Sequence, residues 1–425
     1  NVDDLLYGHL DGHEDKMNEV LDSFSVRERQ EAPFRFCGKE VNQSDDCSIK
    51  VTAKDNTEKI RPIEIHEQGG KKKKLTDKND AKETTALRSV VASLAWIARQ
   101  VRPALSYRVS KLQTVAGNGH IKDIRECNKV LEYALSTSDE GLYFTSNFEN
   151  WDDCVVTSIS DASFANEDIV IKHPWGVHTE TGRSQQGHVI VLGPPNVVNA
   201  EKANVHPISW SSTVIKRVCR STLQAETFAM IRGTETGARI RAGIVDMHGN
   251  LDLKNWEDSS AAHMGHCWMT DCDSLYEHLT SSKMNSVENK RLGIDLMALR
   301  QLVWERSGER TQYIDHNSGD YPRWIDTSTM VADPLTKAMN ADRLANMLQT
   351  GVLDLTPTPE SLFIKEKNKV VRKNAREKKK GTTAHNHTPN GTADSEQYDA
   401  ELAQKDVESG NSHHRRKHRR LNHFQ

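Results

Sequence analysis

A chain of 425 residues, 36% hydrophobic and 28% charged, is long enough for two or three domains with cores of their own. No run nears the ~18 consecutive apolar residues of a membrane span, and seven scattered Cys suit a reducing compartment better than a disulfide framework. The net charge of −3 divides unevenly: Thr356–Gln425 carries fifteen Lys and Arg against nine Asp and Glu, a net +6 that leaves −9 on the first 355 residues. By composition alone, an acidic body does not point to nucleic acid.

The opening Asn1-Val2-Asp3-Asp4, without an initiator Met or a signal sequence, reads as the start of a piece of a longer protein. Gln68-Gly69-Gly70 followed by Lys71–Lys74 reads as a loop. Ala86–Ala98 is a predicted helix, because Leu87, Val90, Val91, Leu94, Ile97 and Ala98 form one apolar stripe. Pro103 ends that segment or opens the next. A second helix, Ile121–Ala134, aligns Ile121, Ile124, Cys127, Asn128 and Leu131. Asp139-Glu140-Gly141 then turns the chain into Leu142-Tyr143-Phe144.

From Trp151 the pattern becomes that of strands. Val155–Ser160 is a β-branched run ending at Asp161, Gly187–Gly193 is a second strand bounded by glycines, and Pro207–Ser212 is a third. Ser221 or Thr222 can cap a helix that turns Leu223, Thr227, Met230 and Ile231 inward, with Glu226 beside that stripe. A fourth strand, Cys267–Thr270, runs into Asp271. A helix over Lys290–Glu305, a fifth strand near Thr311–Ile314 and a short helical segment Pro334–Met347, begun by Asp333, complete the set. Beyond Thr356 the chain has two basic blocks, Lys365–Lys380 and His413–Arg420. Its aliphatics are too few to offset the entropy of ordering, so this tail is expected to be disordered. The basic blocks resemble a nuclear-localisation signal or a nonspecific nucleic-acid arm, which suggests an intracellular protein of cytoplasm or nucleus.

This order of elements predicts an α/β domain with a mixed sheet. If the first three strands form a meander and the fourth joins beside the first, Asp161, Glu226, Asp271 and Asp333 converge on one edge. Clustered carboxylates raise one another's pKa unless cations neutralise them. A donor set of hard oxygens selects Mg²⁺ or Mn²⁺ over zinc, and two such ions about 4 Å apart suit phosphodiester hydrolysis. Among 60 acids, four at element ends also fit ordinary caps, and on position alone that is the plainer reading. His263, His266, Cys267 and Cys272 offer zinc-type donors, but their placement in and around a strand argues against that metal.

Local strings narrow the reading. Ser160-Asp161-Ala162-Ser163-Phe164-Ala165-Asn166 is followed by Gly182-Arg183-Ser184 leading into Gly187–Gly193, and by Ile208-Ser209-Trp210-Ser211-Ser212. Next come Arg220-Ser221-Thr222-Leu223-Gln224-Ala225-Glu226, Thr270-Asp271-Cys272-Asp273-Ser274-Leu275 and Met330-Val331-Ala332-Asp333-Pro334-Leu335-Thr336-Lys337. Six ordered strings over about 180 residues resemble the ribonuclease H domain of copia-type retrotransposon Pol polyproteins, and the 16-residue interval from Trp210 to Glu226 is similar to that family's spacing. Upstream, Asn1-Val2-Asp3-Asp4-Leu5-Leu6 resembles the reverse transcriptase motif of an aromatic residue, any residue and two Asp. Ala86–Thr114, with Arg102-Pro103 and Tyr107-Arg108-Val109-Ser110, and Val130–Tyr133 through Gly141–Phe144 resemble the segment after the polymerase palm.

The resemblance implies a five-stranded, mixed, ribonuclease H-like sheet flanked by helices over residues 149–350. Before it, over 1–148, would lie the end of a reverse transcriptase (palm end, thumb or connection), and after it the basic tail, 351–425. It also implies an endonuclease that cuts the RNA strand of RNA–DNA hybrids as part of a larger Pol polyprotein. Asp161, Glu226, Asp271 and Asp333 would hold two Mg²⁺ or Mn²⁺ ions, and Asp3 and Asp4 would be the remnant of a polymerase metal site. Hybrids are read by shape, backbone and 2′-hydroxyls. Ser163, Asn166, Ser221, Thr222 and Ser274, beside the acids, are therefore candidate substrate contacts. Lys216, Arg217 and Arg220 are candidates for phosphates, though they read equally as a solvated basic turn. Trp175 and Trp210 are candidates for stacking, though a strand Trp is more often core.

The sequence departs from the family in three places. Asn1 replaces the aromatic residue, and the upstream palm strand with its catalytic Asp is not in the sequence, so DNA polymerisation by this chain is not expected. Lys290-Arg291-Leu292-Gly293-Ile294-Asp295 stands where the family has a Lys-His-Ile-Asp-like string, and the His is missing. The stretch from Asp161 to Gly187, with His173-Pro174-Trp175, is longer than usual. These departures leave an alternative: a decayed or host-recruited remnant that binds nucleic acid or a protein partner without cutting it.

Overall fold

The computed structural model describes residues 6–8, 12–24, 26, 28–67, 70–148, 153–283, 286–306 and 319–367. In the first third, helix α1 (Glu14–Asp22) precedes an antiparallel sheet of β1 (Phe34–Phe36), β2 (Lys39–Gln43) and β3 (Ile49–Thr52). Four helices follow: α2 (Lys54–Glu58), α3 (Ala81–Gln100), α4 (Ser106–Val115) and α5 (Ile121–Ser136). The chain then returns as β4 (Leu142–Phe144), which pairs with β3. Helix α3 begins five residues before the apolar stripe suggests, because Asp80 and Glu83 form a reciprocal capping box: each side chain accepts the other's backbone N–H, at 2.9 and 2.8 Å. The predicted stripe of α3 is buried, as are Ile121, Ile124, Cys127 and Leu131 of α5. Asn128 instead uses its amide to bond both the N–H and the C=O of Ile63, each at 2.9 Å.

The remainder is built from β5 (Val155–His173), β6 (Gly176–Gly193), β7 (Lys202–Asn204), β8 (His206–Val214), α6 (Thr222–Met247), α7 (Trp256–His263), β9 (His266–Thr270), α8 (Asp273–Thr280), α9 (Lys290–Arg306), β10 (Asp320–Trp324), α10 (Asp342–Thr350) and β11 (Val352–Asp354). The main sheet runs β10-β9-β5-β6-β8. Strands β5, β6 and β8 form an antiparallel meander, β9 lies parallel beside β5, and β10 lies parallel beside β9. This is the mixed sheet that the order of elements predicts, in the five-stranded, ribonuclease H-like form that the resemblance implies.

Two expectations need correction. Strand β5 does not stop at Asp161. Its ladder with β6 continues past a bulge to His173↔Gly176, so the long stretch before Gly187 is a hairpin with Pro174 and Trp175 at its turn. Asp161 can sit mid-strand because its carboxylate finds partners there. Asp333 does not open a helix reaching Met347. It starts a single 3₁₀ turn, Asp333–Leu335, and α10 begins only at Asp342. The fifth strand is β10, whereas the predicted strand at Thr311–Ile314 lies outside the described residues. Residues 368–425, most of the basic tail, also lie outside them.

The described residues up to Thr358 form one compact unit, and 359–367, which are helical, belong to another. In the first unit a single core cluster joins Leu87, Leu94 and Ile124 to Val155, Ile159, Val189 and Leu335. Trp210 belongs to this packing: it is half-buried and its Nε1 donates to Ala98 O at 2.8 Å, which ties β8 to α3. A second cluster packs Met230 of α6 and Trp268 of β9 against Leu275, Leu292 and Leu296. No helix among the described residues is long and apolar enough to cross a membrane.

A buried polar network fastens α6 to the sheet. His266 has Nε2 2.7 Å from Ser158 Oγ and Nδ1 3.3 Å from Asp320 Oδ1, and Arg241 donates to Asp320 at 3.0 Å. Burial pushes His266 below its ordinary value, against the pull of Asp320, and Ser158 Oγ also donates to Gly233 O at 3.2 Å. The order Ser–His–Asp suggests nucleophilic catalysis, but all three side chains are enclosed, so the network is structural. Helix α6 comes this close because position 237 is Gly. A Cβ there would press into the His266 ring and lie 2.5 Å from Ser158 Oγ. Gly237→Ala is expected to cost about 1–3 kcal/mol through overpacking, read as a lowered thermal unfolding midpoint.

Candidate metal centre

Four elements deliver one carboxylate each. Asp161 projects from β5, Glu226 from the start of α6, Asp271 directly follows β9, and Asp333 opens the 3₁₀ turn. The start of α6 is fixed by Ser221, which accepts from Gln224 N at 3.2 Å, while Gln224 Oε1 accepts from Arg220 N at 2.8 Å. That cap sets Glu226 on the buried side of the helix. Carboxylate oxygens of Asp161, Glu226 and Asp271 all lie within 4.8 Å of one another. Asp333 sits beside them on a turn that also supplies two other groups. Thr336 Oγ1 donates to Asp161 Oδ2, and Lys337 Nζ lies 2.7 Å from Asp333 Oδ1.

The electrostatics follow from this crowding. Burial, then the Asp333 charge, pushes Asp161 up to about 6, against the pull of Lys337 and Thr336. Glu226 is held well above its usual value by burial and then by Asp161 and Asp271. Asp271 is raised by burial and by Asp161, and Asp333 chiefly by burial, with Lys337 opposing. Lys337, although burial works against it, is held above its ordinary value by Asp161, Asp333 and Asp271. A buried set of hard oxygen donors that repel one another fits Mg²⁺ or Mn²⁺ and gives zinc none of its usual N or S ligands. A second group with ligand-like spacing, His66, Asp80 and Glu83, already has a cation: Lys73 Nζ lies 2.9 Å from Asp80 and 2.7 Å from Glu83 in the capping box of α3.

The remaining predicted residues divide. Ser163 lies two residues past Asp161 on the same strand and is buried, and its Oγ has no hydrogen-bond partner. Asn166 is exposed in the bulge of β5, where Ala165 takes a left-handed φ of 56°. Lys216, Arg217, Arg220, Ser221 and Thr222 are exposed on the link from β8 into α6, with Arg217 5.6 Å over the Phe228 ring. Ser221 serves as the cap, and Ser274 Oγ lies 3.3 Å from Cys272 Sγ. Asp3 and Asp4 lie outside the described residues. Trp175 is 90% exposed at the hairpin turn, unlike the packed Trp210.

Sequence reasoning missed Thr336 and Lys337. Their signal is positional: three and four residues after an acid on a helical turn, both return to that acid's side. It also missed Glu167, which anchors the bulge to α4 through Tyr107 Oη at 2.7 Å and Lys111 Nζ at 2.9 Å.

Two predictions follow from this geometry. The folded chain keeps a proton on Asp161 up to about pH 6, whereas an unfolded Asp loses it near 3.8. The cation-free protein therefore has its full stability below pH 3.8 from this group and loses it as the pH rises to about 6. Thermal unfolding across that window in a chelator should show the decline, and Asp161→Asn should flatten it. At Gly187, a Cβ would lie 2.6 Å from Leu335 Cβ and 3.0 Å from Thr336 Cγ2. Gly187→Ala should displace the Asp333 turn, costing about 1–3 kcal/mol and reducing the rise in midpoint that Mn²⁺ gives the wild type.

No family model matches the chain. It is 26% identical over 218 residues to the retrovirus-related Pol polyprotein from transposon RE2 of Arabidopsis thaliana, a match covering 49% of this chain and 13% of the relative. The corresponding polyprotein from transposon RE1 of the same plant is 23% identical over 235 residues, covering 53% and 14%. The chain thus spans about one-seventh of the length of these relatives. Among solved structures, the RNase H1 of the halophilic archaeon Halobacterium salinarum NRC-1 aligns with 43% of this chain and 93% of its own, at 15% identity and a TM-score of 0.25. A foamy viral protease–reverse transcriptase in complex with an RNA/DNA hybrid aligns with 69% and 29%, at 12% identity and a TM-score of 0.30. With the ordered strings of residues 160–337 seated on a ribonuclease H-like sheet, this chain has homologues among the retrovirus-related Pol polyproteins of copia-type transposons.

Proposed function

We propose that residues 149–350 form a ribonuclease H that hydrolyses the RNA strand of RNA–DNA hybrids within a retroelement Pol polyprotein, and that residues 1–148 derive from the end of its reverse transcriptase. One observation carries this reading: carboxylates from β5, α6 and the end of β9 meet within 4.8 Å, with a fourth, Asp333, beside them. Asp161, Glu226, Asp271 and Asp333 would hold two Mg²⁺ or Mn²⁺ ions. Divalent ions held there supply positive charge and Lewis acidity to a phosphodiester undergoing hydrolysis.

The chain's own groups provide the rest. Asp161, central to the cluster, is oriented by the Thr336 hydroxyl. Glu226 and Asp161 hold their protons more tightly than ordinary carboxyls, which eases the repulsion among the four crowded acids. Ser163 offers a buried hydroxyl, a donor and acceptor suited to a 2′-OH, and Asn166 is exposed on the adjoining bulge. Lys216, Arg217 and Arg220 present positive charge ahead of the Glu226 helix, where a phosphate backbone would be held. Ser221 and Thr222 at the helix start, and Ser274 after Asp271, complete the polar surface.

The test is cleavage of a labelled RNA–DNA hybrid in Mg²⁺. Wild type should cut the RNA strand, and Asp161→Asn, folded by circular dichroism, should lose on the order of 10³-fold in rate. Intact hybrid with folded wild type that still binds the hybrid would instead favour the non-cleaving remnant, consistent with the missing His near Lys290–Asp295.

A further inference from the structure

Lys337 places an ammonium inside the carboxylate cluster. The turn that positions it is closed by Thr336 N and Lys337 N, which donate to Asp333 O at 3.0 and 3.2 Å. That closure returns Nζ to within 2.7 Å of Asp333 Oδ1 and directs the neighbouring Thr336 hydroxyl to Asp161. The four acids are therefore unequal before any ion arrives. Asp161, Glu226 and Asp271 lie within 4.8 Å of one another, with no Lys or Arg at ion-pair distance among the described residues. Asp333 already carries its cation.

We propose that Lys337 is a tethered counter-ion that makes the two cation positions unequal: one divalent ion enters among Asp161, Glu226 and Asp271 without displacing a side-chain cation, and a second, which needs Asp333, enters only by displacing the Lys337 ammonium. This rests on the two-cation reading of the site given above. The order of events follows from the charges. The ammonium is attracted by Asp161 and Asp271 as well as by Asp333. An ion bound to the first two removes part of what holds Lys337 and adds repulsion against it. The first ion thus loosens the lysine, and the second takes its place. The Lys337 side chain is 42% exposed, so the released ammonium can move toward solvent.

Mn²⁺ titration of the full chain by calorimetry tests this, comparing wild type with Lys337→Met and Lys337→Arg. Wild type should show a tight and a weaker class of binding. In Lys337→Met the weaker class should tighten about tenfold or more, since a like charge has been removed from the site. Its cation-free thermal midpoint should also fall, because nothing then offsets the carboxylate repulsion. Lys337→Arg should behave as wild type. A readout on the wild type alone is amine-selective labelling of Lys337 followed by mass spectrometry, which should rise when Mn²⁺ is added. An unchanged weaker class in folded Lys337→Met, or labelling that Mn²⁺ does not raise, overturns the counter-ion role while the metal site stands. Failure of wild type to bind Mn²⁺ at all overturns both.

Discussion

Carboxylates held out of water repel one another, and the frame around Asp161, Glu226, Asp271 and Asp333 is what resists that repulsion. Three of them have oxygens within 4.8 Å, and all four titrate above their ordinary values. An isolated strand, helix or turn would let them separate. Here each acid is attached to an element that the core holds in place, so the energy of crowding is retained and becomes an appetite for cations.

The frame works through close approach. Gly237 lets α6 settle on β5 and β9, where the enclosed Ser158–His266–Asp320–Arg241 network fastens the helix that carries Glu226. Gly187 lets the Asp333 turn lie directly on β6. Ser221 and Gln224 decide where α6 begins and thus which side Glu226 faces. Beyond the sheet, Trp210 and the Glu167–Tyr107 bond connect β8 and β5 to the α3–α4 region, so residues before and after position 150 share a core.

Much of this was legible in advance. The apolar stripes of α3 and α5 have the helical period and were found as such. The sheet order followed from three adjoining strands and a fourth entering beside the first, and the four acids were picked out by their strings. The limits of strands and turns were less legible. Asp161 reads as a strand terminator because a charged residue is a poor strand former, yet the ladder runs on to His173, with the Thr336 hydroxyl donating to the Asp161 carboxylate. The helix expected after Asp333 was cut to one turn by burial of Leu335 and Thr336 against Gly187.

By itself the sequence determined which residue types are present, their order, and the local periods that make helices and strands, because those depend on neighbours a few positions away. It marked Asp333 as an acid of interest and left Lys337 as one more base in an acidic body. Only the tertiary structure decided that Lys337 lies 2.7 Å from that acid, that Ser163 is buried with its hydroxyl unpartnered, and that His266 is core rather than ligand. Charge and burial act through space. A residue's pKa and its partners are set by groups such as Thr336 and Asp161, which stand 175 positions apart along the chain and meet only when it folds.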